Sequence, residues 1–431
     1  MKKYGSFIEL VRSFSEREGN AIQYLKEDGA VCCISYPELA KMILQRTEEK
    51  KTLGRGTDII YASLDPDTIT GIFASVIAGR CVLMASTMMP DKVLMEAQEG
   101  TVRLVCGGME QGSEGELLFF TSGTTNRSKV VRLTSDALCC SAWNGQSMLE
   151  CGPGDRILSL LPIEHVYGFV CGLLWGLAYG ATVCLCPSDD SRLKMTGVFH
   201  PTILPAVPAV IDAMTEHDLL NPELRVVLVG AAPCSEETVG LLRERNIEVY
   251  VGYGLTETSS GIAITQGMED FDAMHLCPDT DIRIEPDGEI TVSTPCMMKG
   301  YLGQPETTEG YRLYTGDLGW LDDQGRLHLQ GRKNDVLILS DGTMISCPEY
   351  EHDIAEMSGE TDIALIDRGG KLVLVAGSGA DTDCLRDAIE EYNKTIMISQ
   401  QVYDIEVFGR PLPRTITGKL RRYELEMRYR Q

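Results

Sequence analysis

The sequence predicts an α/β protein. It has a large N-terminal domain of mostly parallel sheets with helices, a small antiparallel β unit, and a small α+β C-terminal domain. Three observations predict this. From about residue 57 to 255, short apolar runs alternate with helical patterns, the rhythm of a parallel sheet covered on both faces. From about residue 281, the pairs Asp287-Gly288 and Gln324-Gly325 separate short strand-like runs and mark hairpins. After Asn334 a compact tail carries strand and helix signals of its own, which divides the chain into residues 1–333 and 334–431.

The elements follow in chain order. Leu117 to Phe120 is a short apolar run that stops at a cluster of hydroxyls, Thr121-Ser122-Gly123-Thr124-Thr125, ahead of Lys129. "RILSLLP" (156–162), "ATVCLCP" (181–187) and "RVVLVGAAP" (225–233) read as strands. "SEETVGLLRERN" (235–246) reads as a helix with Ser235 as N-cap, and "IEVYVGYG" (247–254) as the next strand. In the tail, "DIALID" (362–367) and "KLVLVAG" (371–377) read as strands. "DTDCLRDAIEEYNKTI" (381–396) is an amphipathic helix with Leu385, Ala388, Ile389, Tyr392 and Ile396 on one face.

Composition bounds the function. A chain of 431 residues with 43% apolar and 24% charged residues suits a globular protein of two or three domains. The net charge of −24 argues against a general affinity for nucleic acid or anionic membrane. The first residues contain two lysines but no unbroken apolar core, so a signal peptide is not expected. No stretch reaches the roughly 18 apolar residues of a membrane span; the most apolar region, 166–186, is broken by glycines. The 15 cysteines form no C-x-x-C or Cys/His metal spacing and read as reduced, mostly buried residues of a cytosolic, cytoplasmic protein.

The chemistry concentrates at loops following strands, where ligands of parallel sheets bind. A strand, a small polar loop and a lysine suit phosphate. The P-loop pattern G-x-x-x-x-G-K-[ST] nevertheless fails: counted from Gly123, its second glycine is Ser128, and Val130 follows Lys129. The plain alternative is a polar turn from strand to helix. "YGLTETS" (253–259) brings Thr256, suited to a phosphate, and Glu257, suited to Mg²⁺ through oxygen ligation. "YTGDLG" presents Asp317, whose two oxygens can accept from both hydroxyls of a ribose; "GRKND" presents Arg332, and "PRTITGKLRR" presents Lys419 on a glycine-containing loop.

These segments, in this order, resemble the adenylate-forming superfamily of acyl-CoA synthetases, peptide-synthetase adenylation domains and luciferases. The likeness runs from "ISYPELAKMI" near residue 34 to Lys419, nearly the whole chain. It implies an AMP-forming carboxylate–CoA ligase. The acid is activated by ATP to an acyl-adenylate with release of pyrophosphate, then passed to the thiol of CoA or of a phosphopantetheine arm on an acyl or peptidyl carrier protein. The resemblance implies that the loop, Thr121 to Thr125 with Lys129, cradles the β- and γ-phosphates. Gly230, Ala231 and Ala232, with Gly252, Tyr253 and Gly254, would line the adenine pocket. Asp317 and Arg332 would hold the ribose, Glu257 the Mg²⁺, and Lys419 would bridge the carboxylate and the α-phosphate. The C-terminal domain would be mobile, pivoting at Asn334 to withdraw Lys419 and open a thiol tunnel beside Gly342.

The chain departs from the family loop, roughly T-S-G-[ST]-T-G-x-P-K-G, at Asn126, Ser128 and Val130. Asn334 stands at the hinge in place of the usual Asp or Lys, and Cys347 replaces a common proline in the tunnel segment. These changes motivate a second class of reading, a non-catalytic nucleotide-binding homologue; Glu257, Asp317, Arg332 and Lys419, all present, speak against it. "LPIEHVYGFVCGLLWG" resembles the acyl and aryl ligase segment, where His165 would gate the carboxylate. This argues for a fatty or aryl acid over an amino acid. An o-succinylbenzoate–CoA ligase-like enzyme and a stand-alone acyl-AMP ligase are the alternatives within the class. Gly168, Gly172 and Gly176 recur at helical spacing, which admits either an acyl chain or a closely packed neighbour.

Overall fold

The computed structural model describes residues 2–429 except 87–90, 107–113, 122–128, 187–189, 231–235, 267–272, 309, 339–343 and 415–419. A thirteen-stranded sheet runs through the larger part of the chain. Its middle is parallel: strands Thr182–Leu185, Arg156–Ser159, Ile203–Ala206, Val226–Val229 and Glu248–Leu255 lie side by side in that order. Valine, leucine and isoleucine dominate these strands because helices cover the sheet and leave no wet face.

The strand Glu248–Leu255 changes partner along its length. Residues 248–251 pair parallel with Val226–Val229, and residues 252–255 pair antiparallel with Ser260–Thr265. The hairpins expected after residue 281 continue from that seam, with Gly288 and Gly325 at positive φ in the two turns. The antiparallel unit is therefore the hydrogen-bonded extension of the main sheet, not a separate layer packed on it.

A second sheet has five strands in the order Gly300–Tyr301, Val130–Thr134, Glu116–Phe120, Cys81–Ala85 and Thr57–Tyr61. Phe119 from this sheet meets Phe169 from the segment 166–179 at 5.8 Å between ring centroids, and Phe7 and Phe73 extend the cluster. One continuous core runs through both sheets. The N-terminal helix Phe7–Phe14 joins it through Phe7, Leu10, Val11 and Phe14. Ser6 caps the helix, and the Glu114 carboxylate accepts from the amides of Phe7 and Ile8.

The tail has cores of its own, around residues 337–402 and around Phe408, Leu412 and Leu425. They pack the sheet Ile363–Asp367, Leu372–Ala376, Val402–Val407 against three helices. The helix Thr382–Asn393 buries Leu385, Ala388, Ile389 and Tyr392, as its period requires. It stops before Ile396, which still packs on the core. The helix Glu236–Glu244 is present; its expected cap, Ser235, lies outside the described residues. No helix among the described residues is long and apolar enough to cross a membrane.

Candidate active site

The polar loop is the tip of a hairpin. Glu116–Phe120 and Val130–Thr134 pair antiparallel from Glu116↔Thr134 to Phe120↔Val130, and the Thr121 amide donates to the Lys129 carbonyl at 2.9 Å. The strand-to-helix turn is thus excluded, because the chain returns as a strand. This also explains the failed P-loop pattern, which requires a helix directly after the lysine. Ser122, Gly123, Thr124 and Thr125, with Asn126 and Ser128, lie outside the described residues. Lys129 is exposed, with Nζ 4.6 Å from the centroid of the Tyr301 ring.

Thr256 and Glu257 form a single 3₁₀ turn, Thr256–Thr258, at the end of Glu248–Leu255. The turn is set by its neighbours. Gly254 lies so close to the next strand that a Cβ there would sit 1.9 Å from the Ser260 carbonyl oxygen. Ser259 and Ser260 both take positive φ, 54° and 105°, backbone that serine rarely adopts and that marks a constrained site. Thr258 holds the turn by accepting from the Leu255 amide at 3.0 Å and donating to the Ser260 carbonyl at 2.9 Å. Glu257 is fixed at both ends: its carbonyl accepts from the Met298 amide at 2.7 Å, and its Oε1 from the Tyr301 hydroxyl at 2.8 Å.

Among the described residues nothing donates to Oε2 of Glu257, and no cluster of three His, Cys, Asp or Glu side chains is present. One free carboxylate oxygen does not make a protein cage. It does fit Mg²⁺, which takes one or two carboxylates and completes its shell with water and nucleotide phosphates.

The end of the sheet places Tyr253, Asp317 and Arg332 together. Asp317 and Arg332 face each other across adjacent strands, Oδ1 to Nε 3.0 Å, and the Tyr253 hydroxyl donates to Oδ2 at 2.8 Å. Asp317 is 7% exposed. A carboxylate accepts in about four directions, the property that suits Asp317 to a diol. Burial, and then the Asp317 charge, push the Tyr253 hydroxyl well above its ordinary pKa, so it remains a donor. Gly252 and Gly254 lie within the strand rather than in a loop. Gly230 lies at the end of Val226–Val229; Ala231 and Ala232 are outside the described residues.

Toward the expected acid end, exposed His165 immediately precedes the short helix Val166–Phe169, which passes into a π-helical turn at Val170–Leu174. The Tyr167 hydroxyl donates to the Leu228 carbonyl at 2.6 Å, and its ring lies where a Cβ on Gly230 would be 2.7 Å away. Tyr167 therefore covers the carboxyl ends of two parallel strands. Gly168 approaches the preceding chain closely, its would-be Cβ 2.3 Å from the Pro162 carbonyl oxygen, while Gly172 and Gly176 lie against Ser159 and Ile157. The glycine spacing thus reports a helix pressed onto backbone and strand. Gly168→Ala should lower stability by about 1–3 kcal/mol through overpacking, read as a lower denaturant midpoint.

Asn334 lies in the 3₁₀ turn Lys333–Asp335, between the large core and the tail. Lys419 lies outside the described residues, but the base of its loop is closed by an antiparallel bridge from Arg414 to Leu420. Buried Arg422 anchors the far side on Glu351 at 2.6 and 3.0 Å, on the Leu365 carbonyl at 2.6 Å, and on Asp335 at 3.4 Å. Tyr301 and Arg422 carry this geometry although the sequence does not mark them as site residues; the one signal for Tyr301 is its place before "LGQPETT" in a polar segment.

Residues 109–302 match the family of AMP-binding enzymes. Among curated proteins, the chain is 29% identical over 339 residues to a 2-succinylbenzoate–CoA ligase of Listeria monocytogenes, covering 74% of this chain and 71% of that one. It is 25% identical over 351 residues to a long-chain-fatty-acid–CoA ligase of Mycobacterium tuberculosis, covering 75% and 69%. Among solved structures it is similar to the o-succinylbenzoate CoA synthetase of Bacillus subtilis with its acyl-adenylate intermediate, at TM-score 0.81, 22% identity and 99% coverage of both chains. The same enzyme with ATP and magnesium ion gives a TM-score of 0.80 at 22% identity, covering 97% of this chain and 99% of that one. Over residues 109–302, which include Lys129, Glu257 and Tyr301, the chain is similar to AMP-binding enzymes.

Proposed function

We propose that the protein is an ATP-dependent carboxylate–CoA ligase acting on a fatty or aryl acid. What supports this reading is that the strand Glu248–Leu255 brings Tyr253 to the Asp317–Arg332 pair and leads directly into Glu257, which Tyr301 links to Lys129, within or beside a region that matches AMP-binding enzymes. In the first half-reaction the substrate carboxylate attacks the α-phosphorus of ATP and pyrophosphate leaves, giving the acyl-adenylate. In the second, the CoA thiol attacks the acyl carbonyl and AMP leaves. A phosphopantetheine carrier is the alternative acceptor.

The residues take these roles in the proposal. Thr121 to Thr125, Lys129 and Thr256 hold the phosphates of ATP. Gly230, Ala231, Ala232 and Gly252 to Gly254 border the adenine, and Asp317 and Arg332 hold the ribose. Glu257 offers its free oxygen to Mg²⁺, which when bound neutralises phosphate charge. Lys419 steadies the carboxylate and α-phosphate, and residues 334–431 swing about Asn334 between the half-reactions. His165 and Gly168 begin the acid pocket. The Tyr167 ring, filling the space at Gly230, favours a compact acid over a long chain. A cytoplasmic setting accords with the free cysteines.

The test is a mass-spectrometric screen with ATP and Mg²⁺ against straight-chain acids, benzoates, cinnamates, o-succinylbenzoate and amino acids, each with and without CoA. An acyl-CoA from an aryl or short acid is the expected product. Acyl-AMP alone would redirect the acceptor to a carrier protein. Neither product from any acid, with ATP bound, would favour the non-catalytic reading.

A further inference from the structure

The metal ligand and the phosphate loop proposed above belong to different sheets. Glu257 ends a strand of the thirteen-stranded sheet; Lys129 ends the loop of a hairpin in the five-stranded one. Chemistry on a triphosphate needs the two held in fixed relation. Tyr301 touches both. Its backbone is hydrogen-bonded into the hairpin, with Gly300↔Arg132 and Tyr301↔Val131 in register and the neighbouring Leu302 amide donating to the Val130 carbonyl at 2.8 Å. Its hydroxyl donates to Oε1 of Glu257 at 2.8 Å, and its ring lies under Lys129 Nζ at 4.6 Å.

We propose that Tyr301 is a positioning residue for the metal and phosphate subsites, orienting the Glu257 carboxylate through its hydroxyl and the Lys129 ammonium through its ring. The assignment rests on the role proposed for Glu257. A carboxylate is free to rotate about its last bond; pinning Oε1 leaves Oε2 as the oxygen presented to a cation. Partners of this kind typically change metal affinity or activity about 10–100-fold when removed. A lysine within about 6 Å of an aromatic face gains only a modest attraction at an exposed site, so the ring contact guides Lys129 without trapping it. Three nearby backbone contacts keep the tyrosine itself from drifting: Met298 N–H to the Glu257 carbonyl at 2.7 Å, Lys299 N–H to the Arg132 carbonyl at 2.9 Å, and the Thr307 amide to the Lys299 carbonyl at 2.9 Å.

The test compares wild type, Tyr301→Phe, Tyr301→Leu and Glu257→Gln. Mn²⁺ binding is read by electron paramagnetic resonance in the presence of a non-hydrolysable ATP analogue, alongside thermal melting and the KM for ATP in pyrophosphate release. Tyr301→Phe should weaken Mn²⁺ binding about tenfold while leaving melting close to wild type, since the ring under Lys129 remains. Tyr301→Leu should add a two- to fivefold rise, on the order expected for a lost cation–π contact, in the KM for ATP. Wild-type Mn²⁺ affinity in Tyr301→Phe, with or without a lower melting temperature, would overturn the proposal if Glu257→Gln weakens binding. Wild-type affinity in Glu257→Gln as well would overturn the metal role of Glu257 and the inference with it.

Discussion

Replacing Lys419 by alanine is expected to slow acyl-adenylate formation on the order of 10²–10³-fold and to leave thioester formation from supplied acyl-adenylate largely intact. In the proposed first half-reaction a carboxylate must approach a triphosphate. Charge grows on the oxygens around the α-phosphorus as the new bond forms, and a positioned ammonium is worth most where water is excluded. The second half-reaction consumes an adenylate whose carboxylate charge is already gone, so the lysine has little left to neutralise. The anchored surroundings favour a local effect: Arg422 and the Arg414–Leu420 bridge fix both ends of the loop independently of the lysine side chain. Separate assays of pyrophosphate release and of CoA thioester formation from synthetic adenylate decide it. Equal loss in both would remove Lys419 from the role proposed here.

Arg132→Met should destabilise the protein by about 3–5 kcal/mol, read as a lower denaturant midpoint. Arg132 and Glu116 are 3% and 1% exposed and form a two-pronged pair across the hairpin, at 2.7 and 3.0 Å. Lys299 reaches the same carboxylate at 3.2 Å, and Glu306 meets Arg132 at 2.9 Å. Removing the guanidinium leaves a buried carboxylate with one partly exposed lysine, and the uncompensated charge sets the size of the effect. The double replacement Glu116→Gln with Arg132→Met should recover most of the loss, because it removes both charges together. A double variant no more stable than the single one would show that packing, not charge, makes the arginine necessary. The same cluster anchors the segment that carries Tyr301, so Arg132→Met is also expected to weaken ATP binding.

Patterns local in the chain were legible in the sequence. The apolar runs Val226–Val229, Ile363–Asp367 and Leu372–Ala376 form strands, because four or five consecutive apolar residues between turn signals can be buried in no cheaper way. The face of the helix Thr382–Asn393 followed from its period. Asp287-Gly288 and Gln324-Gly325 form turns because their glycines supply positive φ. The groups proposed for the site were legible as residue types for the same reason: Asp317, Arg332 and Glu257 sit in short polar segments between apolar runs.

Contacts between distant segments were not legible. Glu116 and Arg132 stand inside apolar strands, which signals a buried pair, yet Lys299 joins them from far along the chain. The sequence left the polar loop open between a strand-to-helix turn and a phosphate cradle. Only strand pairing makes it a hairpin, since nothing within ten residues fixes the direction in which the chain returns. The glycines of 168–176 were equally open until the Pro162 carbonyl and Ile157 were seen against them. By itself, then, the sequence determined the strands, the turns and the kinds of chemical group at the strand ends, because these depend on local period and residue type. The tertiary structure decided which groups meet: Tyr253 with Asp317, Tyr167 with Gly230, and Tyr301 between Glu257 and Lys129. Side-chain partnership across two sheets depends on how those sheets pack, and packing is a property of the whole chain.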